Sequence, residues 1–169
     1  MLFRSDVVVL EYGGNDCDFD WADVAAHPDD EHQPHTPIND FVACYREMID
    51  MLMQRGIRPI LMSLPPLDAS RYFDWITKGG LNRENILHWL GDVQRIYRFH
   101  ERYSIAITNL ARQLNCRYVD VREAFLAVPR CGDLLCADGI HPNEKGHRVM
   151  QEAFAGFFAA HPLIAAQSV

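Results

Sequence analysis

Asp138 and His141 stand three residues apart in the run Asp138-Gly139-Ile140-His141-Pro142, and that pairing can do acid-base chemistry. A tight turn across this spacing lets the carboxylate accept a hydrogen bond from one imidazole nitrogen, which fixes the other nitrogen as a proton acceptor. Such an imidazole can take the proton of a serine hydroxyl and return it to a leaving alcohol, while the carboxylate stabilises the imidazolium formed in between. A second run, Gly13-Gly14-Asn15-Asp16, presents the Asn15 side-chain amide on a glycine turn. That N–H suits the negative oxygen of a tetrahedral intermediate, a contact that typically contributes about 3 kcal/mol to catalysis. Asparagine in a turn also tolerates a left-handed backbone, a structural role compatible with the chemical one.

The elements that must position these groups follow from apolar spacing. Asp6 to Glu11 is apolar and β-branched on consecutive positions, as in a parallel strand covered on both faces, and it leads straight into Gly13-Gly14. Cys17 to Thr36 holds Pro28, Pro34 and six acidic residues and reads as a long surface loop. Thr36-Pro37 starts a helix whose apolar positions Phe41, Tyr45, Met48, Ile49 and Leu52 recur at three- and four-residue steps as far as Gly56. Ile57 to Leu64 is a second buried strand closed by Pro65-Pro66. Between Leu67 and Leu90 periodicity fades, leaving a short helix near Glu84 to Leu90. A longer helix follows from about Val93 to Leu114, with a buried stripe of Ile96, Tyr97, Tyr103, Ile107, Leu110, Ala111 and Leu114. Arg117 to Val121 reads as a third strand, Arg122 to Ala127 as a short helix, and Glu144 to Ala160 as a terminal helix capped by Asn143. Strands alternating with helices imply an α/β fold with a parallel sheet. Both chemical runs then fall on loops leaving strand carboxyl ends, where such folds place their sites.

These residues resemble the SGNH/GDSL hydrolase family of lipase-like esterases. Its G-x-N-D block matches Gly13, Gly14, Asn15 and Asp16, and its D-x-x-H-P block matches Asp138, His141 and Pro142. The resemblance implies a flavodoxin-like three-layer α/β/α fold. It makes His141 the catalytic base, Asp138 its orienting partner and Asn15 an oxyanion-hole donor, with Asp16 holding the loop in shape. The family's nucleophilic G-D-S serine and a second oxyanion glycine both precede its G-x-N-D block. Only twelve residues precede Gly13 here; Ser5 stands before a strand, and Ser63, Ser70, Ser104 and Ser168 lack the family context. An apolar strand such as Asp6 to Glu11 also belongs inside a sheet, not at its edge. The expectation is therefore one SGNH-like domain over residues 1–169, shortened at its N-terminus by two strands, their helices and the serine. A bare first strand could alternatively pair with a second copy to give a homodimer.

Composition narrows the remaining choices. A chain of 169 residues suits one domain. Its 16 basic and 23 acidic residues leave a net charge of -7 with no basic run to track a phosphate backbone, so nucleic acid is not an expected partner. No stretch reaches the roughly 18 apolar residues of a membrane span, and Met1 to Asp6 lacks a signal-peptide core, which reads as cytoplasmic unless a shortened start hides a leader. Five cysteines without a C-x-x-C pair read as free thiols, although Cys131 and Cys136 frame a loop that a local disulfide could close. His27, His32 and His35 sit among acidic residues with no regular element to fix them as metal ligands, so a solvated loop is expected and neither a metal nor an organic cofactor. Trp21, Tyr72, Phe73, Trp75, His88 and Trp89 could line an acyl or sugar pocket. The sequence thus points to a small-molecule ester hydrolase, its own length of chain inactive without the serine. A non-catalytic module that holds a carbohydrate or acyl ligand on the same fold is the alternative.

Overall fold

The computed structural model describes residues 5–162. Its sheet has three parallel strands in the order β1 (Val7–Leu10), β2 (Arg58–Met62) and β3 (Arg117–Val119), with Val9 opposite Ile60 and Leu61 opposite Tyr118. Seven α-helices are described: α1 (Trp21–Ala26), α2 (Ile38–Gln54), α3 (Ala69–Thr77), α4 (Arg83–Leu90), α5 (Gln94–Gln113), α6 (Val121–Leu126) and α7 (Glu144–Ala160). A short 3-10 turn spans Cys131–Leu134. Among the described residues, no helix is long and apolar enough to cross a membrane.

Alternation along the strands sorts the core into two layers. Leu10 and Leu61 face α2 and α5, packing with Phe41, Tyr45, Ile49, Ile107 and Leu110. Ile60, Met62 and Val119 face α7, packing with Met150, Phe154 and Phe157. The result is the expected three-layer α/β/α arrangement. Among the described residues β1 pairs with β2 alone, so it forms an edge, and Val9 is 40% exposed there.

Two expectations need correction. The stretch Cys17 to Thr36 is not wholly a surface loop: it contains α1, with Trp21, Val24 and Ala25 buried. Likewise the ill-defined region after Leu67 contains α3, with Ala69, Tyr72 and Phe73 buried. Both helices carry the same local signal. An aspartate cap, Asp20 or Asp68, accepts backbone N–H bonds at the helix start, and apolar residues follow at one, four and five positions beyond it. Each helix is short, six residues in α1 and nine in α3, so its apolar stripe is brief, and neighbouring acidic residues mask it. Together α1, α3, α4 and the start of α5 form a second apolar cluster, from Phe19 through Ile96.

Candidate active site

The turn holding Asp138 and His141 is fixed by main-chain pairing at its base. Leu135 bridges Pro142 in antiparallel fashion, the Cys136 N–H donates to the His141 carbonyl at 2.7 Å and the Asn143 N–H to the Leu134 carbonyl at 2.9 Å. At its tip Gly139 has φ +77°, and a Cβ there would lie 2.8 Å from the Asp68 carbonyl oxygen; the left-handed backbone and the close approach both require glycine. Asn143 then caps α7 by accepting from Lys145 and Gly146 N–H groups. Arg71, which the sequence reading did not single out, supports this turn from α3. Its Nη1 donates to the carbonyls of Gly132, Leu135 and Cys136 at 3.1 to 3.4 Å.

Within the turn, Asp138 Oδ1 accepts the Ile140 and His141 backbone N–H groups at 2.9 and 3.0 Å. Its Oδ2 lies 2.7 Å from His141 Nδ1. Burial disfavours the charged carboxylate, but the bonds from the His141 ring and from the two N–H groups outweigh it and hold the carboxyl below its ordinary value. An ionised Asp138 can only accept, so Nδ1 carries the hydrogen and Nε2 is the proton-accepting nitrogen. The His141 side chain is 73% exposed, which leaves that nitrogen accessible.

The loop after β1 is equally constrained. Gly13 adopts φ +125°, and a Cβ there would press on Leu64 and Phe41. The Cys17 N–H then donates to the Gly13 carbonyl at 3.0 Å. Asn15 does not take the left-handed conformation the sequence allowed it: among the described residues Asn115 is the only non-glycine with positive φ. Asp16 contributes its carbonyl, which accepts the Thr36 N–H at 3.0 Å. The carboxylate that ties this loop to its neighbours belongs to Asp18, another residue the sequence reading passed over. Asp18 accepts from Tyr72 Oη at 2.5 Å and from Trp21 Nε1 at 2.9 Å, and burial raises its carboxyl above the ordinary range despite these donors.

Gly13, Gly14, Asn15, Asp16 and His141 line one cavity of about 370 Å³, with Trp21 and Tyr72 in its wall. Two expected pocket residues are elsewhere. Trp75 lies off the buried stripe of α3 and is 47% exposed, with Lys78 over its ring. Trp89 packs behind the wall against Phe19 and Phe99 and does not line the cavity. Of the other aromatics, Phe73 is core and His88 bonds Asp29 at the surface. His100 does line the cavity, 7% exposed and with Nδ1 lacking a partner among the described residues. Burial first, then the Arg122 charge, pushes its pKa down to about 3.

The remaining candidates are accounted for structurally. Ser63 is fully buried, donating to Asp120 at 3.0 Å and accepting the Arg122 N–H at 2.9 Å. Ser168 lies outside the described residues. All five cysteines are free, Cys131 and Cys136 included, and burial pushes the Cys17 thiol up to about 12, which keeps it unreactive. His27 and His32 both bond the Asp23 carboxylate. Among the described residues no cluster of three or more His, Cys, Asp or Glu is arranged to hold a metal ion.

A parallel α/β/α sandwich whose Asn15 loop leaves β1, with the Asp138–His141 turn leading not from a strand but from the 3-10 turn into α7, defines a class, and comparison with known proteins gives the family. The GDSL-like lipase/acylhydrolase family model matches residues 2–149, and the chain belongs to that family. It is 25% identical over 151 residues to the GDSL esterase/lipase WDL1 of Oryza sativa subsp. japonica, a match covering 88% of this chain and 52% of that protein. The chain thus spans about half the length of its curated relative. Among solved structures it is similar to the lipase/acylhydrolase of Enterococcus faecalis, with a TM-score of 0.61 and 17% identity, covering 95% of this chain and 65% of that one. It is also similar to a catalytic mutant of Axe2, an acetylxylan esterase of Geobacillus stearothermophilus, with a TM-score of 0.62 and 18% identity, covering 90% and 58% respectively.

Proposed function

We propose that this chain carries the acid-base and oxyanion parts of an ester hydrolase. The complete protein cleaves carboxylic esters of small acyl groups, including acyl groups on sugars, with a serine supplied upstream of Met1. The observation that carries this reading is the 2.7 Å bond from His141 Nδ1 to Asp138 Oδ2, made by a histidine that shares its cavity with Asn15. His141 Nε2 takes the serine proton as the serine oxygen attacks the ester carbonyl carbon. Asn15 donates its side-chain N–H to the oxygen that becomes negative. Collapse of the intermediate breaks the bond to the alcohol, which leaves with the proton from His141. Water, deprotonated by the same nitrogen, then releases the acid and regenerates the serine.

The cavity of about 370 Å³ that Asn15 and His141 share in this chain is large enough to hold a small acyl group. The acetylxylan esterase among the structural neighbours offers an acylated sugar as a reasonable first substrate to try. Restoring the coding sequence upstream of Met1 and assaying p-nitrophenyl acetate and acetylated xylose tests the proposal. Hydrolysis by the complete protein, lost in His141→Ala, supports it. Activity that survives His141→Ala refutes the assignment of the base. Ligand binding without hydrolysis in the complete protein would favour the non-catalytic module instead.

A further inference from the structure

We infer that His35 is a positioning residue for Asn15, its ring locking the oxyanion loop from outside the cavity. The inference rests on the reading of Asn15 as an oxyanion donor. His35 Nδ1 lies 3.0 Å from the Asn15 carbonyl oxygen, across 20 residues of sequence. A carbonyl can only accept, so Nδ1 carries the hydrogen and donates it. His35 does not line the cavity that Asn15 and His141 share, so it does not touch substrate there. What it controls is the orientation of the peptide group on the C-terminal side of Asn15.

The neighbouring bonds show why that control matters. Residues 35 and 36 run along the Asn15 loop and occupy its carbonyls in turn: the His35 N–H donates to Asp18 at 2.8 Å and the Thr36 N–H to Asp16 at 3.0 Å. Within the loop the Asn15 carbonyl receives a longer bond, from the Asp18 N–H at 3.3 Å. The imidazole therefore supplies the shorter contact at the residue read as the oxyanion donor. The clamp is itself anchored, since the Thr36 carbonyl accepts from Tyr103 Oη at 2.5 Å and Tyr103 is buried in the α2–α5 core. A continuous path thus runs from the rigid helical layer through Thr36 and His35 to Asn15. Oxyanion donors work only when held close to the productive geometry before the reaction begins.

Steady-state kinetics of the complete gene product on p-nitrophenyl acetate tests this. His35→Ala should lower kcat by roughly five- to tenfold, the scale of one hydrogen bond, with KM changed less than about twofold. His35→Asn, whose side-chain amide N–H can stand where Nδ1–H stands, should recover most of that loss, whereas His35→Leu should not. In an Asn15→Ala background the His35→Ala penalty should vanish, because there is no donor left to position. Undiminished kcat in His35→Leu overturns the inference, as does an equal penalty with and without Asn15. If His35→Ala lowers the thermal midpoint, the contrast between the Asn and Leu variants still decides. Undiminished kcat in Asn15→Ala is a different failure: it removes the oxyanion reading itself, and this inference with it.

Discussion

The geometry of the Asp138–His141 pair comes from a division of labour within one carboxylate. Oδ1 is spent on two backbone N–H groups and fixes the turn, while Oδ2 fixes the ring. Asp138→Asn keeps the shape but can present an N–H to Nδ1, which favours the wrong tautomer. In the complete protein it should lower kcat by about 10³- to 10⁴-fold with little change in KM, a split that steady-state kinetics reads directly. The depressed Asp138 carboxyl has a stability consequence of definite sign. Its contribution is present above the ordinary value of 3.8 and is lost as pH falls below it. His100 acts over a higher window. With its pKa near 3 in the folded protein and near 6.5 when unfolded, the unfolded state binds the extra proton between those values, so stability falls as pH drops through them. The slope should approach about 1.4 kcal/mol per pH unit from this one group. Urea denaturation between pH 6.5 and 5 should show a steeper decline for the wild type than for His100→Gln, and equal slopes would show that His100 is not buried as a neutral ring.

At the scale of elements, the site depends on contacts between segments far apart in sequence. The turn carrying Asp138 and His141 rests on the start of α3, through the Asp68 N–H bond to Gly139 at 2.8 Å and the three carbonyl bonds of Arg71. Gly139→Ala combines a strained φ with a clash against backbone, and should cost about 2–4 kcal/mol of stability by urea denaturation. Arg71→Met, which keeps bulk and loses the donors, should cost about 1–3 kcal/mol and loosen the turn, seen as faster hydrogen exchange at residues 135–141. Protection equal to that of the wild type would show that Arg71 does not hold the turn. The helix α3 that supplies these contacts was hidden from pattern reading because its stripe of Ala69, Tyr72, Phe73 and the partly buried Ile76 fills a helix of only nine residues. Helix α7, by contrast, was legible to the residue, because Asn143 caps a 17-residue amphipathic run. Length of periodicity decided which helices could be read: a long stripe outweighs local composition, and a stripe of one or two turns does not.

For the whole molecule, β1 is an edge strand among the described residues and the chain spans about half of its curated relative; the proposed upstream serine is tested at the gene. An in-frame G-D-S roughly 60 codons before Met1, the length of two βα units, is the expected result of sequencing upstream, and an immediate stop codon would overturn it. Size measurement of the chain as it stands would reveal whether the same edge pairs with a second copy. The sequence by itself determined the strands, the long helices, the two chemical runs and the family, because those rest on residue type and on periodicities of 2 and 3.6 that local geometry enforces. Only the tertiary structure decided which side chains meet. It put Tyr72 and Trp21 in the cavity wall and turned Trp75 outward; it gave the loop carboxylate role to Asp18, and placed Arg71 under the Asp138–His141 turn. Contacts between residues 54 to 65 positions apart, such as Tyr72 with Asp18 and Arg71 with Cys136, depend on how helices lie across the sheet. That packing is set by the burial of the whole core and leaves no short-range signature in the chain.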